Sequence, residues 1–261
     1  MNPRKSLLSS LLTSILILGA VSNPALAAAN APALSAPAAS GSQQGASIVF
    51  TPKSTNFTTK EYEARITIPL ISGLADKTYQ AQLNAELEKH AAESLKTVQQ
   101  QSKRDAELAK KEGWEMRPHV LDISYEVYTT GKLLSFGVTT YTYTGGAHGM
   151  ADVQYFNVPN LEKTHNLQLS ELFQPGYDYK NVLNNLITQQ IKTEERKTGN
   201  KLPYWFEGIS NNQGFSFKNG TLLIHFGQYE IAPYAAGMPA FTIPRHQFMN
   251  LLKPGIRDLL Q

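Results

Sequence analysis

Three strand-like runs joined by tight turns constrain the fold more than any other feature of the sequence. They read RPHVLDISYEVYTT, KLLSFGVTTYTYT and MADVQYFNVPN, and apolar residues alternate with polar ones along them. Thr129, Thr130 and Gly131 separate the first two runs, and GGAHG (residues 145–149) separates the second from the third. Glycine adopts positive φ at little steric cost. The pattern therefore predicts an antiparallel meander in which GGAHG is a hairpin connection or a bulged turn.

A strand and a long helix are predicted before this meander. Residues 62–68 alternate as a half-buried strand does, and Pro69 together with Ser72-Gly73 is expected to end it. Asp76 can cap a helix that runs to about Lys111. The residues spaced as a core-facing stripe along that helix are Tyr79, Leu83, Leu87, Leu95 and Val98.

The second half of the sequence repeats the alternation of helix and strand. It predicts, in order, a short turn near Ser170, a helix over 179–197, strands over 214–218 and 221–226 joined by Asn219-Gly220, a strand over 240–243, and a last helix over 245–251. The fold class is therefore predicted as α+β, with antiparallel sheets each packed by helices. We place two linked modules at residues 48–160 and 161–261.

The first residues have the composition of a secretory signal peptide. MNPRK is followed by an apolar run of roughly 14 residues and by the small residues of NPALAAA, which predicts a signal peptide over 1–27 with cleavage after Ala27. An uncleaved anchor is the alternative. Residues 28–47 contain Ala, Pro, Ser, Gly and Gln without charge, which is typical of a disordered linker. A secreted or extracellular protein associated with the cell envelope is expected.

Composition excludes several classes of function. The sequence has no cysteine, so thiolate catalysis, cysteine-based metal sites and a lipoprotein anchor are excluded. The 24 Lys and Arg side chains exceed the 21 Asp and Glu side chains by three, and two of them, Arg4 and Lys5, belong to the predicted signal peptide, which leaves an excess of one. Because a nucleic-acid binder needs a basic surface, we expect no nucleic-acid partner.

Catalytic and metal motifs are also missing from the sequence. No two of the six histidines stand three, four or five residues apart, so local zinc-ligand pairs are absent. Ser135, Ser210 and Ser216 lie near glycines, but none has the sequence context of a nucleophile elbow. We therefore expect no metal, no cofactor and no assigned catalytic residue.

Two irregular loops carry the candidate site. His148 lies in the glycine-rich loop, and a second loop spans residues 227–238. If both lie at one edge of the molecule, they form a ligand-binding pocket. The predicted ligand-binding residues are Gly145, Gly146, His148, Tyr229, Glu230, Tyr234 and Gly237. The structural alternative is that the imidazole and the tyrosine hydroxyls only satisfy loop backbone groups.

Aromatic residues near the predicted loops and strand ends add a second indication of binding. They include YWFEG (residues 204–208) as well as several tyrosines. Exposed rings can stack on sugar faces or anchor a protein partner.

Four passages together resemble a known family. They are ITIPLISGLADKTYQAQLNAEL, YTYTGGAHG, LQLSELF and FGQYEIAPYAAGMPAFTIP, and the similarity covers roughly residues 57–251. The sequence resembles the extracellular region of the lysozyme-sensing anti-sigma factors of Gram-positive bacteria, which contain paired domains of unknown function. The first half also resembles the accessory domain of some peptidoglycan deacetylases.

The resemblance implies a binding module whose ligand is lysozyme or another secreted protein, or peptidoglycan glycan. Only Met1 to Ser6 precede the apolar run, so we expect no sigma-binding arm, and no stable membrane span after signal cleavage. The main alternative is a cell-wall-active hydrolase that uses His148 as general base and Glu230 as its partner. A third hypothesis is a structural or inhibitory partner of a secreted protease.

Overall fold

A five-stranded sheet packed by one long helix forms the first half of the described protein. The computed structural model describes residues 47–260. The elements are β1 (Val49–Thr58), β2 (Tyr62–Ser72), α1 (Lys77–Glu112), β3 (His119–Thr129), β4 (Leu133–Tyr143) and β5 (Met150–Pro159). The strand order is β1-β2-β3-β4-β5. The predicted meander is confirmed, because β3, β4 and β5 pair antiparallel around the two glycine turns.

The first sheet is mixed, whereas the sequence predicted antiparallel sheets. β2 and β3 run parallel from Tyr62 paired with His119 to Ile66 paired with Ile123. Parallel neighbours need a long crossover connection, and α1 supplies it. Strand β2 also continues past Pro69 to Ser72. Since β3 pairs with β2 only as far as Ile66, the missing N–H of Pro69 removes no bond between these two strands.

Helix α1 begins and ends as its sequence predicts. The carboxylate of Asp76 accepts a hydrogen bond from Tyr79 N at 2.9 Å, and Gly113, with φ of 75°, ends the helix in the left-handed conformation. Leu83, Leu87 and Val98 are buried against the sheet. Strand β1, which the sequence pattern does not predict, is mostly exposed because it lies at the sheet edge.

The second half contains a smaller sheet, one long helix and several short helical segments. The elements are a 3-10 turn (Leu169–Leu172), α2 (Tyr179–Thr198), β6 (Gly214–Lys218), β7 (Thr221–His225), β8 (Ala240–Ile243), α3 (Arg245–Phe248) and α4 (Pro254–Leu259). The antiparallel order is β6-β7-β8. These elements confirm the predicted α+β class, although the last predicted helix is interrupted by a 3-10 turn at Met249–Leu251.

A buried polar network joins the two sheets. Asn157 on β5 accepts a hydrogen bond from Ser135 Oγ at 2.8 Å and donates one to the carbonyl of Phe215 at 2.8 Å. The amide of Phe217 donates to Ser135 Oγ at 3.0 Å. Strand β6 is thereby fixed against β4 and β5.

The predicted signal peptide and all but the last residue of the predicted linker lie outside the described residues. Among the helices of residues 47–260, none combines the length and the apolar character that crossing a membrane requires.

Candidate functional site

The two loops singled out by the sequence meet in the structure. Tyr229 Oη lies 3.1 Å from His148 Nε2, although the residues are 81 positions apart. The ring of Tyr234 stacks on the imidazole of His148 with 3.8 Å between centroids and 20° between planes. His148 Nδ1 lies 3.0 Å from the carbonyl oxygen of Gly149. The three predicted aromatic residues therefore form one cluster.

Close packing holds the glycine-rich loop over the sheet. Gly149 is buried, and a Cβ built on it would overlap the ring of Tyr141. The Gln228 side chain accepts a hydrogen bond from Ala151 N at 2.8 Å and so ties the second loop to the start of β5. Both contacts fix the position from which His148 projects.

The backbone of Tyr229 is strained. Its φ is 63°, in the left-handed region that a bulky side chain rarely occupies. Glu230 holds this turn, since its carboxylate accepts a hydrogen bond from Gly227 N at 2.7 Å and its amide donates to the Gly227 carbonyl at 3.2 Å. Residues kept in strained conformations concentrate at functional sites, so this strain points to the Tyr229 ring.

Glu230 does not reach His148. Its second carboxylate oxygen accepts from Gln213 Nε2 at 3.2 Å, and its backbone carbonyl accepts from Trp205 Nε1 at 3.1 Å. Within residues 47–260, no hydrogen bond joins Glu230 to His148. Glu230 therefore shapes the second loop, and the structure does not assemble the acid–base pair of the hydrolase alternative.

The predicted glycines shape the loops. Gly145 and Gly237 have φ of 89° and 69°, which a residue with a Cβ adopts only with strain. Gly146 has open space where a side chain would start, since the nearest atom lies 3.9 Å away.

Large exposed apolar side chains lie in the two loops and directly beside them. Trp205 donates a backbone hydrogen bond to Ile231 O at 2.9 Å, which places YWFEG beside the second loop. Met150 follows Gly149, and Met238 follows Gly237; sequence reasoning missed both, although an apolar residue after a loop glycine could have signalled them. The loop surface is defined here as His148, Met150, Trp205, Tyr229, Tyr234 and Met238. Four of its members are among the large exposed apolar residues: Trp205 (50%), Tyr229 (45%), Met150 (45%) and Met238 (37%).

A cleft of about 360 Å³ lies beside the loop surface, between the two sheets. Tyr155 of β5 and His225 of β7 line it with ring centroids 4.2 Å apart, and Glu230 lines its edge. Burial lowers the pKa of His225 to about 4, although Glu126 opposes the shift. Burial also raises the pKa of Tyr155. The imidazole of His225 is therefore neutral at neutral pH.

Ser216 and His225 resemble a nucleophile and its base only in distance. Ser216 Oγ lies 2.8 Å from His225 Nε2. The serine is fully buried and, unlike His225, does not line the cleft, so its hydroxyl is not presented to a substrate there. In the part of the chain that the structure describes, no group of three His, Asp or Glu side chains is arranged to hold a metal ion.

Two family models match this sequence, one in each half. Residues 55–151 match the model described as "Deacetylase PdaC", and residues 170–246 match the model described as "Protein of unknown function (DUF3298)". The chain thus contains two domains of unknown function, the first of which resembles a deacetylase accessory domain. None of the curated proteins compared with the sequence matches it.

Two solved structures share the architecture. One is a DUF3298 family member from Bacteroides fragilis NCTC 9343, with 19% identity and a TM-score of 0.62, covering 82% of this chain and 98% of that chain. The other is a DUF3298 family protein from Pseudomonas aeruginosa PAO1, with 17% identity and a TM-score of 0.53, covering 83% and 98%. At these identities the likeness establishes the fold and leaves the ligand open.

Proposed function

We propose that this protein is an exported binding module of the cell envelope, without catalytic activity, whose loop surface binds a lysozyme-like protein. The observation that carries the proposal is the aromatic cluster of His148, Tyr229 and Tyr234, because it unites two loops far apart in sequence. The strained backbone of Tyr229 supports a role beyond filling space.

The composition of the loop surface favours a protein ligand. Tyrosine, tryptophan and methionine are enriched at the centres of protein interfaces, and charged side chains are depleted there. All six members of the loop surface are uncharged when His148 is neutral. The stacking of His148 on Tyr234 and its contact with Tyr229 hold the rings in place before binding, which lowers the entropic cost of association.

Two features support the envelope as the location. The first 27 residues have the composition of a signal peptide, and the linker composition of residues 28–47 would separate the folded part from a membrane or wall. The match of residues 55–151 to a model described as a deacetylase is compatible with a protein that works beside the cell wall.

Peptidoglycan glycan is the second candidate ligand, since sugar faces also stack on exposed aromatic rings. The hydrolase alternative has less support. Both ring nitrogens of His148 lie at hydrogen-bond distance from groups other than Glu230, namely the Gly149 carbonyl and the Tyr229 hydroxyl.

The test is calorimetric titration of the full-length protein with hen-type lysozyme, followed by a separate titration with soluble peptidoglycan fragments. We expect saturable one-to-one binding of lysozyme. Tyr229→Ala should weaken it by about 2 kcal/mol or more, roughly 30-fold in Kd, because truncation of an aromatic anchor has that effect.

Tyr177→Ala is the matched control, because Tyr177 is 49% exposed, close to the 45% of Tyr229, and lies outside the loop surface. It should leave lysozyme affinity within twofold. Equal losses from both variants, or no heat with lysozyme, would reject the proposal. Heat with peptidoglycan fragments and none with lysozyme would indicate that the ligand is a glycan.

A further inference from the structure

A second cleft, separate from the loop surface, lies where helix α1 ends. Its volume is about 350 Å³, and its walls are the last turns of α1, residues 114–117 and the first residues of the glycine-rich loop. The side chains that bear on its chemistry are Asp105, Trp114, Glu115, Arg117, His119 and Thr144. The whole cleft lies within residues 55–151, the range matched by the first family model.

His119 forms part of this cleft and has an unsatisfied nitrogen. Its side chain is 1% exposed, and Nε2 lies 3.1 Å from Asp105 Oδ2. Nδ1 is buried and has no hydrogen-bond partner among residues 47–260. Because buried polar atoms are nearly always hydrogen-bonded, this nitrogen marks a place where a ligand can supply the missing partner.

When the His119 ring is neutral, the missing partner is a hydrogen-bond donor. An ionised carboxylate only accepts hydrogen bonds, so the contact with Asp105 places the imidazole proton on Nε2. Nδ1 of the neutral ring is then an acceptor. A hydroxyl or an amide N–H can satisfy it, whereas an anionic oxygen cannot.

The rim of the cleft contributes an aromatic face and both signs of charge. Trp114 is 47% exposed. Arg117 donates from Nη1 to the Tyr143 hydroxyl at 3.3 Å. No ion pair within residues 47–260 involves Glu115 or Arg117. With carboxylates at Asp105 and Glu115 and a guanidinium at Arg117, the polar wall offers acceptors and donors together.

We propose that this cleft binds one pyranose residue of a neutral glycan. The indole of Trp114 would stack on the apolar face of the ring. Sugar hydroxyls would donate to Asp105 and to Nδ1 of His119, and Arg117 would donate to a ring or acetamido oxygen. A strongly anionic ligand is disfavoured by the two carboxylates. The volume, near the lower end for ligand pockets, suits one sugar ring.

The glycan cleft does not depend on lysozyme recognition. None of the residues that line it belongs to the loop surface, although Gly145 and His148 lie in the same glycine-rich loop. Loss of lysozyme binding through Tyr229→Ala and loss of glycan binding through Trp114 are therefore separate results.

The two tryptophans of the sequence allow a direct test. In full-length protein carrying Trp205→Phe, Trp114 is the sole tryptophan. Titration with N,N′,N″,N‴-tetraacetylchitotetraose, and separately with soluble peptidoglycan fragments, should change its fluorescence saturably. In the matched variant Trp114→Phe, which retains Trp205, the fluorescence should stay constant. Calorimetry should show at least roughly tenfold weaker glycan binding in Trp114→Ala than in the wild-type chain.

Asp105→Asn provides the second variant. It keeps the shape of the side chain but removes the charge that fixes the proton of His119 on Nε2, so we expect weaker glycan binding with a melting temperature that still indicates a folded protein. A saturable change in Trp205 fluorescence alone would place glycan at the loop surface and overturn the proposal. Absence of any saturable change with both glycan probes would overturn it as well.

Discussion

The buried hydroxyl of Ser216 lies 2.8 Å from Nε2 of His225 on the neighbouring strand, and the burial of this imidazole links the stability of the fold to pH. The imidazole also stacks on Tyr155, with centroids 4.2 Å apart. Burial of the ring depresses the pKa of His225 to about 4, compared with 6.5 for an unperturbed histidine. The folded protein therefore excludes the proton that the unfolded chain binds.

Stability should fall as the pH drops from about 6.5 towards 4. Above this window both states carry neutral His225, and the stabilisation is fully present; within it only the unfolded chain gains a proton. From the two pKa values, His225 alone should reduce the free energy of unfolding by about 2 kcal/mol between pH 8 and pH 5. Urea unfolding at a series of pH values measures the change.

His225→Gln is the control, because glutamine can still hydrogen-bond to Ser216 and does not titrate. Its stability at pH 8 should be lower than that of the wild-type protein, since the stack with Tyr155 is lost, but its decrease towards pH 5 should be about 2 kcal/mol smaller. An unchanged pH slope in the variant would show that His225 is not the group responsible.

Gly149→Ala should displace the glycine-rich loop. A methyl group there overlaps the Tyr141 ring, so the loop or the ring must move, with a loss of about 1 to 3 kcal/mol in the free energy of unfolding. We also expect weaker binding of lysozyme, because His148 follows the backbone that shifts. Thermal unfolding and calorimetric titration measure the two effects.

Gly146→Ala is the matched control in the same loop, since open space surrounds its Cβ position. It should change the free energy of unfolding by less than about 0.5 kcal/mol. A stability loss in Gly146→Ala equal to that of Gly149→Ala would mean that loop flexibility, and not contact with Tyr141, determines the effect.

Local sequence patterns predicted most elements because they reflect local physics. The Asp76 cap, the stripe of α1 and the Asn219-Gly220 turn depend on residues within a few positions of one another. The parallel pairing of β2 with β3 was not predicted, because it depends on how a 36-residue helix returns the chain to the sheet. The extension of β2 past Pro69 likewise depends on β3, because β3 stops pairing with β2 at Ile66.

The sequence predicted part of the candidate site, again because that part depends on local sequence features. Glycine content and irregularity identified both loops, and the structure brings His148, Tyr229 and Tyr234 together. Sequence could not show that the Glu230 carboxylate turns to Gly227 and Gln213, because that orientation arises from the local turn and from a contact 17 residues away. Nor could it show that His119 is buried, since burial depends on packing between α1 and β3.

Asn157→Ala should cause the largest loss of stability among these variants. Asn157 is 1% exposed, and its amide group connects Ser135 on β4 with the Phe215 carbonyl on β6. Truncation removes two hydrogen bonds, leaves the Ser135 hydroxyl without its acceptor and opens a small cavity. We expect the free energy of unfolding to fall by about 2 to 4 kcal/mol. Asn185→Ala is the control, because Asn185 is exposed on α2 and, within residues 47–260, its side chain bonds only to Asn181; it should stay within about 0.5 kcal/mol of the wild-type value. Urea unfolding of both variants measures this difference, and because the network joins the sheets, Asn157→Ala should also broaden the transition. Equal midpoints for the two variants would show that the connection between the sheets does not depend on Asn157.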